Sequence, residues 1–183
     1  MSEYLRKFNC LMEIITNRRS IRSYKSDKIE DDKLDYILEA FRKAPSAKNL
    51  QPWKLVVVKN KHKREDLAIA CNNQSFISEA PVIIAACAKE EEAYGVMGGY
   101  MNSYPVDIAI AMEHLILAAT EQGLGTCWIG AFKENLVKGI LGVPENIRVV
   151  ALTPVGYPAS TADPSKRGRK SLSEVVCYEK YVD

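Results

Sequence analysis

The chain has 183 residues, 47% hydrophobic and 26% charged, with a formal net charge of +2; it is long enough for one domain with a substantial core, expected to span 1–183, and too weakly charged overall to suggest nucleic acid as a partner. Five scattered cysteines (Cys10, Cys71, Cys87, Cys127, Cys177) contain no C-x-x-C pair, and there are only two histidines, His62 and His114; this argues for a reduced cytosolic protein without a disulfide framework, a zinc site or a His-rich metal centre. The N-terminus has no apolar signal core, and no segment approaches the roughly 18 apolar residues of a membrane span, so the expected location is the cytoplasm, with no membrane partner.

Tyr4 to Asn17 carries Leu5, Phe8, Leu11, Met12 and Ile15 at helical spacing. It runs into Arg18-Arg19-Ser20-Ile21-Arg22, where Ile21, Ser23 and Tyr24 are poor helix formers and the chain becomes extended. Alternate residues of an extended chain share a face, so Arg18, Ser20 and Arg22 point one way and Arg19 and Ile21 the other. Two guanidinium groups flanking a hydroxyl make a socket for a phosphate or another anion. The alternative is a solvated basic helix end. A second helix is expected over Glu30 to Lys43, with Leu34, Ile37, Leu38 and Phe41 as its stripe and Pro45 marking its end.

Pro45 to Trp53 is a polar loop stiffened by two prolines, which holds the Ser46, Asn49 and Gln51 side chains at set positions. Leu55 to Val58 reads as a buried strand, Lys61 to Ala70 as a charged surface helix, Asn72 to Glu79 as a connection or short helix, and Val82 to Ala88 as a second buried strand. Lys89 to Tyr104, with Glu90 to Glu92, three glycines and three tyrosines, reads as a mobile excursion, either a lid or a disordered insertion. Val106 to Gln122 leaves almost no polar face; such a helix is buried on every side, here at a subunit interface, with Glu113 and His114 a satisfied buried pair. Gly123 and Gly125 end it.

Thr126 to Gly130 is a short strand or turn in which Cys127 is expected to be buried and inert. Glu134 to Leu141 is a short helix stopped by Gly142 and Pro144, and Arg148 to Pro154 a third buried strand. Tyr157 to Lys170 is a second basic loop, Ser171 to Glu174 fits a capping box, and Val175 to Val182 could add as an edge strand. No internal repeat, low-complexity tract or linker interrupts the chain.

Four pieces now stand in order: R-R-S-I-R; P-S-A-K-N-L-Q-P-W running into an apolar strand; an Ala-rich helix running into G-L-G-T-C-W-I-G; and P-V-G-Y-P followed by a late basic R-G-R-K. From about Glu13 to Val176 the chain resembles the nitroreductase family of FMN-dependent oxidoreductases. The resemblance implies an α+β fold, a central mixed β-sheet flanked by helices, in an obligate homodimer whose C-terminal extension reaches the partner. It implies tightly bound FMN at the interface, with NADH or NADPH as co-substrate. Arg18 and Ser20 would hold the ribityl-phosphate end, with Arg19 less clearly placed, and Arg167 and Arg169 would complete the phosphate cage. Arg22 would lie at the N1/O2 edge of the flavin and tune its charge. Pro45, Ser46 and Asn49 would serve the flavin held mainly by the other subunit, and the backbone of Ile129 and Gly130 would face N5.

The activity implied is a ping-pong one. NAD(P)H reduces FMN at N5, and a small planar, electron-poor acceptor (nitroaromatic, quinone, enone or flavin) then takes the electrons. No acid–base dyad is expected, because the cofactor carries the chemistry. The chain is short for the family, and nothing in Lys89 to Tyr104 names a substrate. The alternative is an FMN-binding store or sensor without turnover. A nucleic-acid module using the two basic stretches lacks the interleaved aromatic residues it would need.

Overall fold

The computed structural model describes residues 11–159 and 168–182. Its frame is a four-stranded sheet: β1 (Trp53–Val58), β2 (Val82–Lys89), β3 (Gly125–Thr126) and β4 (Ile147–Gly156), in the order β1-β2-β4-β3. Every ladder is antiparallel. Among the described residues, the expected mixed sheet has its parallel component only in an isolated bridge between Ser20 and Thr126. The helices are α1 (residues 11–17), α2 (Asp31–Arg42), α3 (Lys61–Ala70), α4 (Phe76–Glu79), α5 (Tyr104–Glu121), α6 (Glu134–Leu141) and α7 (Leu172–Val175).

Strand β2 shows why the sheet is central. Side chains alternate along a strand, and here both faces are apolar. Val82, Ile84, Ala86 and Ala88 pack into one core with α2 and α5, while Ile83, Ala85 and Cys87 pack into another with α3 and α6. The result is a sheet with helices on both faces. Sequence periodicity locates α3 and α6 to the residue. Asn60 caps α3, its side chain accepting from the Lys63 amide, and Gly142 ends α6 at φ 67°, a left-handed position that favours glycine.

Three expectations change. Within one chain helix α5 leaves an open face at Ala109, Ile110 and Glu113, and His114 is half-buried beside a glutamate that faces solvent, so the expected buried Glu113–His114 pair does not form. Lys89 to Tyr104 is not a loose excursion. It opens with a 3-10 turn over Glu90–Glu92, doubles back at a Met97–Met101 bridge, and is closed at its base by the Ser103 amide on the Tyr94 carbonyl (2.8 Å). The tail after α7 forms no strand among the described residues, because its alternating side chains meet no strand partner within the chain. It leaves Tyr178, Tyr181 and Val182 largely in solvent.

Cys71 and Cys87 are buried, and burial pushes both thiols up to about 11 from an ordinary 9. Between about pH 9 and 11 the unfolded chain has released these protons and the folded chain retains them. Unfolding therefore releases protons, and stability falls as pH rises through that window. The thermal midpoint of the wild type should drop more between pH 9 and 11 than that of a Cys71→Ala/Cys87→Ala variant, and parallel curves would refute the assignment.

Candidate functional site

Helix α1 stops where the sequence turns basic. The Arg18 amide makes the last helical bond, to the Ile14 carbonyl (2.9 Å). The Arg19 guanidinium turns back onto the carbonyls of Thr16 and Arg18, as cations do at a helix C-terminus. From Ser20 the chain is extended: the Ile21 amide bonds the Thr126 carbonyl at 2.8 Å. Ile21 lies over Gly125, where an added Cβ would sit 2.7 Å from Ile21 Cγ1. Only a glycine lets the stretch lie this close to β3.

The stretch is fixed further along by Tyr24. Its hydroxyl donates to the Ile21 carbonyl (2.8 Å) and its amide to Glu79 Oε2 (3.1 Å). Burial holds that hydroxyl far above its ordinary range, so it remains a donor. Two backbone bonds, Lys25 amide to Tyr157 carbonyl (2.8 Å) and Ala159 amide to Ser23 carbonyl (3.0 Å), join the stretch to the chain leaving β4. Tyr157 is itself held: its hydroxyl donates to Glu30 and accepts from Lys33 Nζ (2.6 Å), and this donation lowers the Glu30 carboxyl from its ordinary range. The basic stretch and the start of the late loop are therefore neighbours.

Arg18 and Ser20 are half-buried and Arg22 is exposed. Among the described residues, neither Arg18 nor Arg22 is within ion-pair distance of a carboxylate. Uncompensated guanidinium groups beside a hydroxyl are the donor set a phosphate requires. Three residues beyond Thr126, Ile129 is buried and both its backbone groups are engaged with Leu152 (2.8 and 3.0 Å), whereas Gly130 is exposed. A planar ligand over this edge would thus meet the Gly130 backbone. Cys127 is buried, its amide donating to Thr153 Oγ1 (3.3 Å). Arg167 lies outside the described residues. Arg169 is described and exposed, on the far side of residues 160–167.

The Pro45–Trp53 loop is elsewhere. The Lys89 amide bonds the Pro52 carbonyl (2.8 Å), and Trp53 pairs with Ala88. The loop therefore sits at the Lys89 end of β2, while Thr126 and Gly156 lie beside the Val82 end. At about 3.3 Å per residue, β2 separates them by roughly 25 Å. Within one chain, Pro45, Ser46 and Asn49 do not meet Arg18, Ser20 and Arg22. An apolar cavity of about 330 Å³, lined by Trp53, Val56, Ala88, Leu141 and Pro144 among others, also opens at the loop's end of the sheet. Lys54, Lys89 and Glu92 also line it, and Lys89 Nζ is engaged by Glu92 (2.6 Å), whereas Arg18 and Arg22 at the other edge stand without a carboxylate among the described residues.

The loop has a tense backbone. Lys48, Asn49 and Gln51 all have positive φ (51°, 57° and 52°), which L-residues adopt at a cost. It is pinned by the Gln51 amide on Ser46 Oγ (3.0 Å), Gln51 Nε2 on the Asn49 carbonyl (3.0 Å), and the Ala47 amide on Asp107 Oδ1 (2.8 Å). Asp107 is 2% exposed, in the first turn of α5, where a carboxylate is favoured. Its other oxygen accepts from Ser103 Oγ (2.7 Å), which in turn accepts the Tyr94 amide (3.1 Å). Sequence reasoning passed over Asp107 and Ser103. The available signal was a carboxylate at the head of an otherwise apolar helix. Lys48 Nζ also lies 4.4 Å from the centre of the Tyr94 ring. Among the described residues, no group of three His, Cys, Asp or Glu is placed to hold a metal, and no helix is long and apolar enough to cross a membrane.

A family model described as the nitroreductase family matches residues 15–74 and 68–157. A Thermus thermophilus protein named NADH dehydrogenase is 33% identical, covering 82% of this chain and 87% of its own. Two solved structures superpose well. One is a nitroreductase family protein from Clostridium novyi NT (39% identity, TM-score 0.76, covering 85% of this chain and 90% of that one). The other is an NADPH:FMN oxidoreductase from Vibrio harveyi complexed with NAD+ (27% identity, TM-score 0.86, covering 96% and 79%).

Proposed function

The chain belongs to the nitroreductase family, and from that premise we propose that it is an NAD(P)H-dependent flavin oxidoreductase with FMN as its resident cofactor. The observation that carries the reading is the pair of arginines, Arg18 and Arg22, held without acidic partners beside Ser20 on the edge of β3. Bound there, FMN would supply the hydride acceptor for NADH or NADPH and the donor for a small planar, electron-poor molecule. Nitroaromatics, quinones, enones and free flavin fit that description.

In this reading, Arg18 and Ser20 bind the phosphate, with Arg167 and Arg169 closing the cage from the late loop. Arg19 supports the helix end. Arg22 places positive charge by the pyrimidine edge, and Gly130 offers backbone to the ring. Pro45, Ser46 and Asn49 act on the flavin of a second copy, because their own chain's arginine edge is a sheet-length away. That makes the working unit a homodimer. Exposed apolar side chains on α1 (Leu11, Met12, Ile15), on α5 (Ile110) and on the tail (Leu172, Val175, Tyr178, Tyr181, Val182) favour the same assembly, with the tail crossing to the partner. We place the protein in the cytoplasm as a single domain spanning 1–183.

The test is the absorption spectrum of the purified protein, followed by anaerobic titration with NADH and with NADPH. A flavin spectrum that bleaches with at least one nucleotide and recovers with a quinone supports the reading. Bound flavin that stays oxidised with both would make this a binding protein without turnover. Colourless protein that takes up no FMN would refute the site itself.

A further inference from the structure

The tense loop and the excursion converge on one carboxylate. Asp107 accepts the Ala47 amide through Oδ1 and the Ser103 hydroxyl through Oδ2, and Ser103 holds the Tyr94 amide. All three groups lie at or below the surface, with Ser103 fully buried and Asp107 2% exposed. A buried carboxylate left without its donors is costly, so this junction has little freedom to loosen in part. We propose that Asp107 is a positioning residue for the oxidoreductase reaction. It fixes the loop that carries Ser46 and Asn49 against the flavin, and through Ser103 it sets the Lys89–Tyr104 segment in register with that loop. The segment's exposed tip, with Val96 and Tyr100 in solvent, thereby becomes a determinant of acceptor binding. The inference rests on the flavin reading given above.

Three variants separate the parts. Asp107→Ala leaves the Ala47 amide and the Ser103 hydroxyl without an acceptor. Asp107→Asn keeps an oxygen for Ala47 and offers its amide to a rotated Ser103 hydroxyl. Ser103→Ala leaves the Ala47 bond in place and removes the side-chain tie between Asp107 and the Tyr94 amide, leaving only the backbone bond from the Ser103 amide to the Tyr94 carbonyl.

Each variant is compared with wild type by far-UV circular dichroism, by FMN dissociation constant, by visible circular dichroism of bound flavin, and by steady-state kinetics with a quinone. Asp107→Ala should weaken FMN binding about tenfold, the loss of one charge-assisted hydrogen bond, and should alter the visible dichroism. Asp107→Asn should restore affinity to within about threefold of wild type. Ser103→Ala should raise the KM for the quinone about fivefold while kcat and FMN affinity stay within about twofold.

A folded Asp107→Ala protein with wild-type affinity and dichroism overturns the inference, as does an asparagine variant no better than the alanine one. Should the alanine variant not fold, an unchanged KM in Ser103→Ala overturns the link to the excursion. Wild-type protein that binds no FMN defeats the functional reading instead, and that result is visible before any variant is made.

Discussion

Gly125→Ala should cost the fold about 1–3 kcal/mol and should strip most of the bound FMN. The added methyl would sit 2.7 Å from Ile21 Cγ1 and 2.9 Å from Ile21 Cβ. The second of these atoms lies next to the backbone and cannot swing away, so the strand itself has to lift. Lifting it breaks the Ile21–Thr126 bond and turns Ser20 and its flanking arginines away from the edge. The comparison with Ile21→Gly/Gly125→Ala isolates the cause. Removing the whole isoleucine side chain, Cβ included, should return both the melting temperature and the flavin content of the double variant toward the Ile21→Gly level, a coupling that neighbours in contact show and distant residues do not. Additive losses would mean that Gly125 matters for some reason other than this contact.

Arg22→Ala should leave the fold intact and lower the midpoint potential of bound FMN. Arg22 is exposed and contributes no hydrogen bond or ion pair to the described structure, so little stability rests on it. Two-electron reduction places negative charge on the pyrimidine side of the flavin, and a cation held there favours the reduced form. One partly screened unit charge at contact distance is worth about 1–2 kcal/mol, which for a two-electron couple is a fall of about 20–45 mV. Reduction by NADH or NADPH should slow in parallel. Arg22→Lys keeps the charge without the fork and should recover most of the potential. A spectroelectrochemical titration that returns the wild-type potential for Arg22→Ala would place this side chain away from the ring.

The sequence made much of this architecture readable. Helices α3 and α6 declared themselves through spacing and caps, and β2 through an apolar run too short for a helix. The extended course from Ser20 followed from poor helix formers, although Arg18 still closes the last helical turn, and Ile21 lies against Gly125. What escaped notice depended on partners far away in the chain. Nothing local in Tyr94 or Ser103 says that an aspartate will clamp them to a loop 60 residues before it. Positive φ at Lys48, Asn49 and Gln51 is equally silent, because these residues accept it only when surrounding hydrogen bonds impose it. The tail's alternation is real, but a strand needs a neighbour and the described chain supplies none. Helix α5 reads as apolar all round, and its face at Ala109 and Ile110 is open within one chain, because burial on a helix is decided by what packs on each side.

The pairing of Ser20 with Thr126 and of Tyr24 with Pro158 has a consequence for biosynthesis. The arginines leave the ribosome about a hundred residues before the surface they dock on. Closing a loop of about a hundred residues costs roughly 4 kcal/mol of chain entropy, which only a finished sheet can offset. A nascent polypeptide halted before β4 (Ile147–Gly156), which carries β3, would therefore hold its arginines undocked, and a chain truncated there should accumulate as apoprotein however much flavin the cell provides.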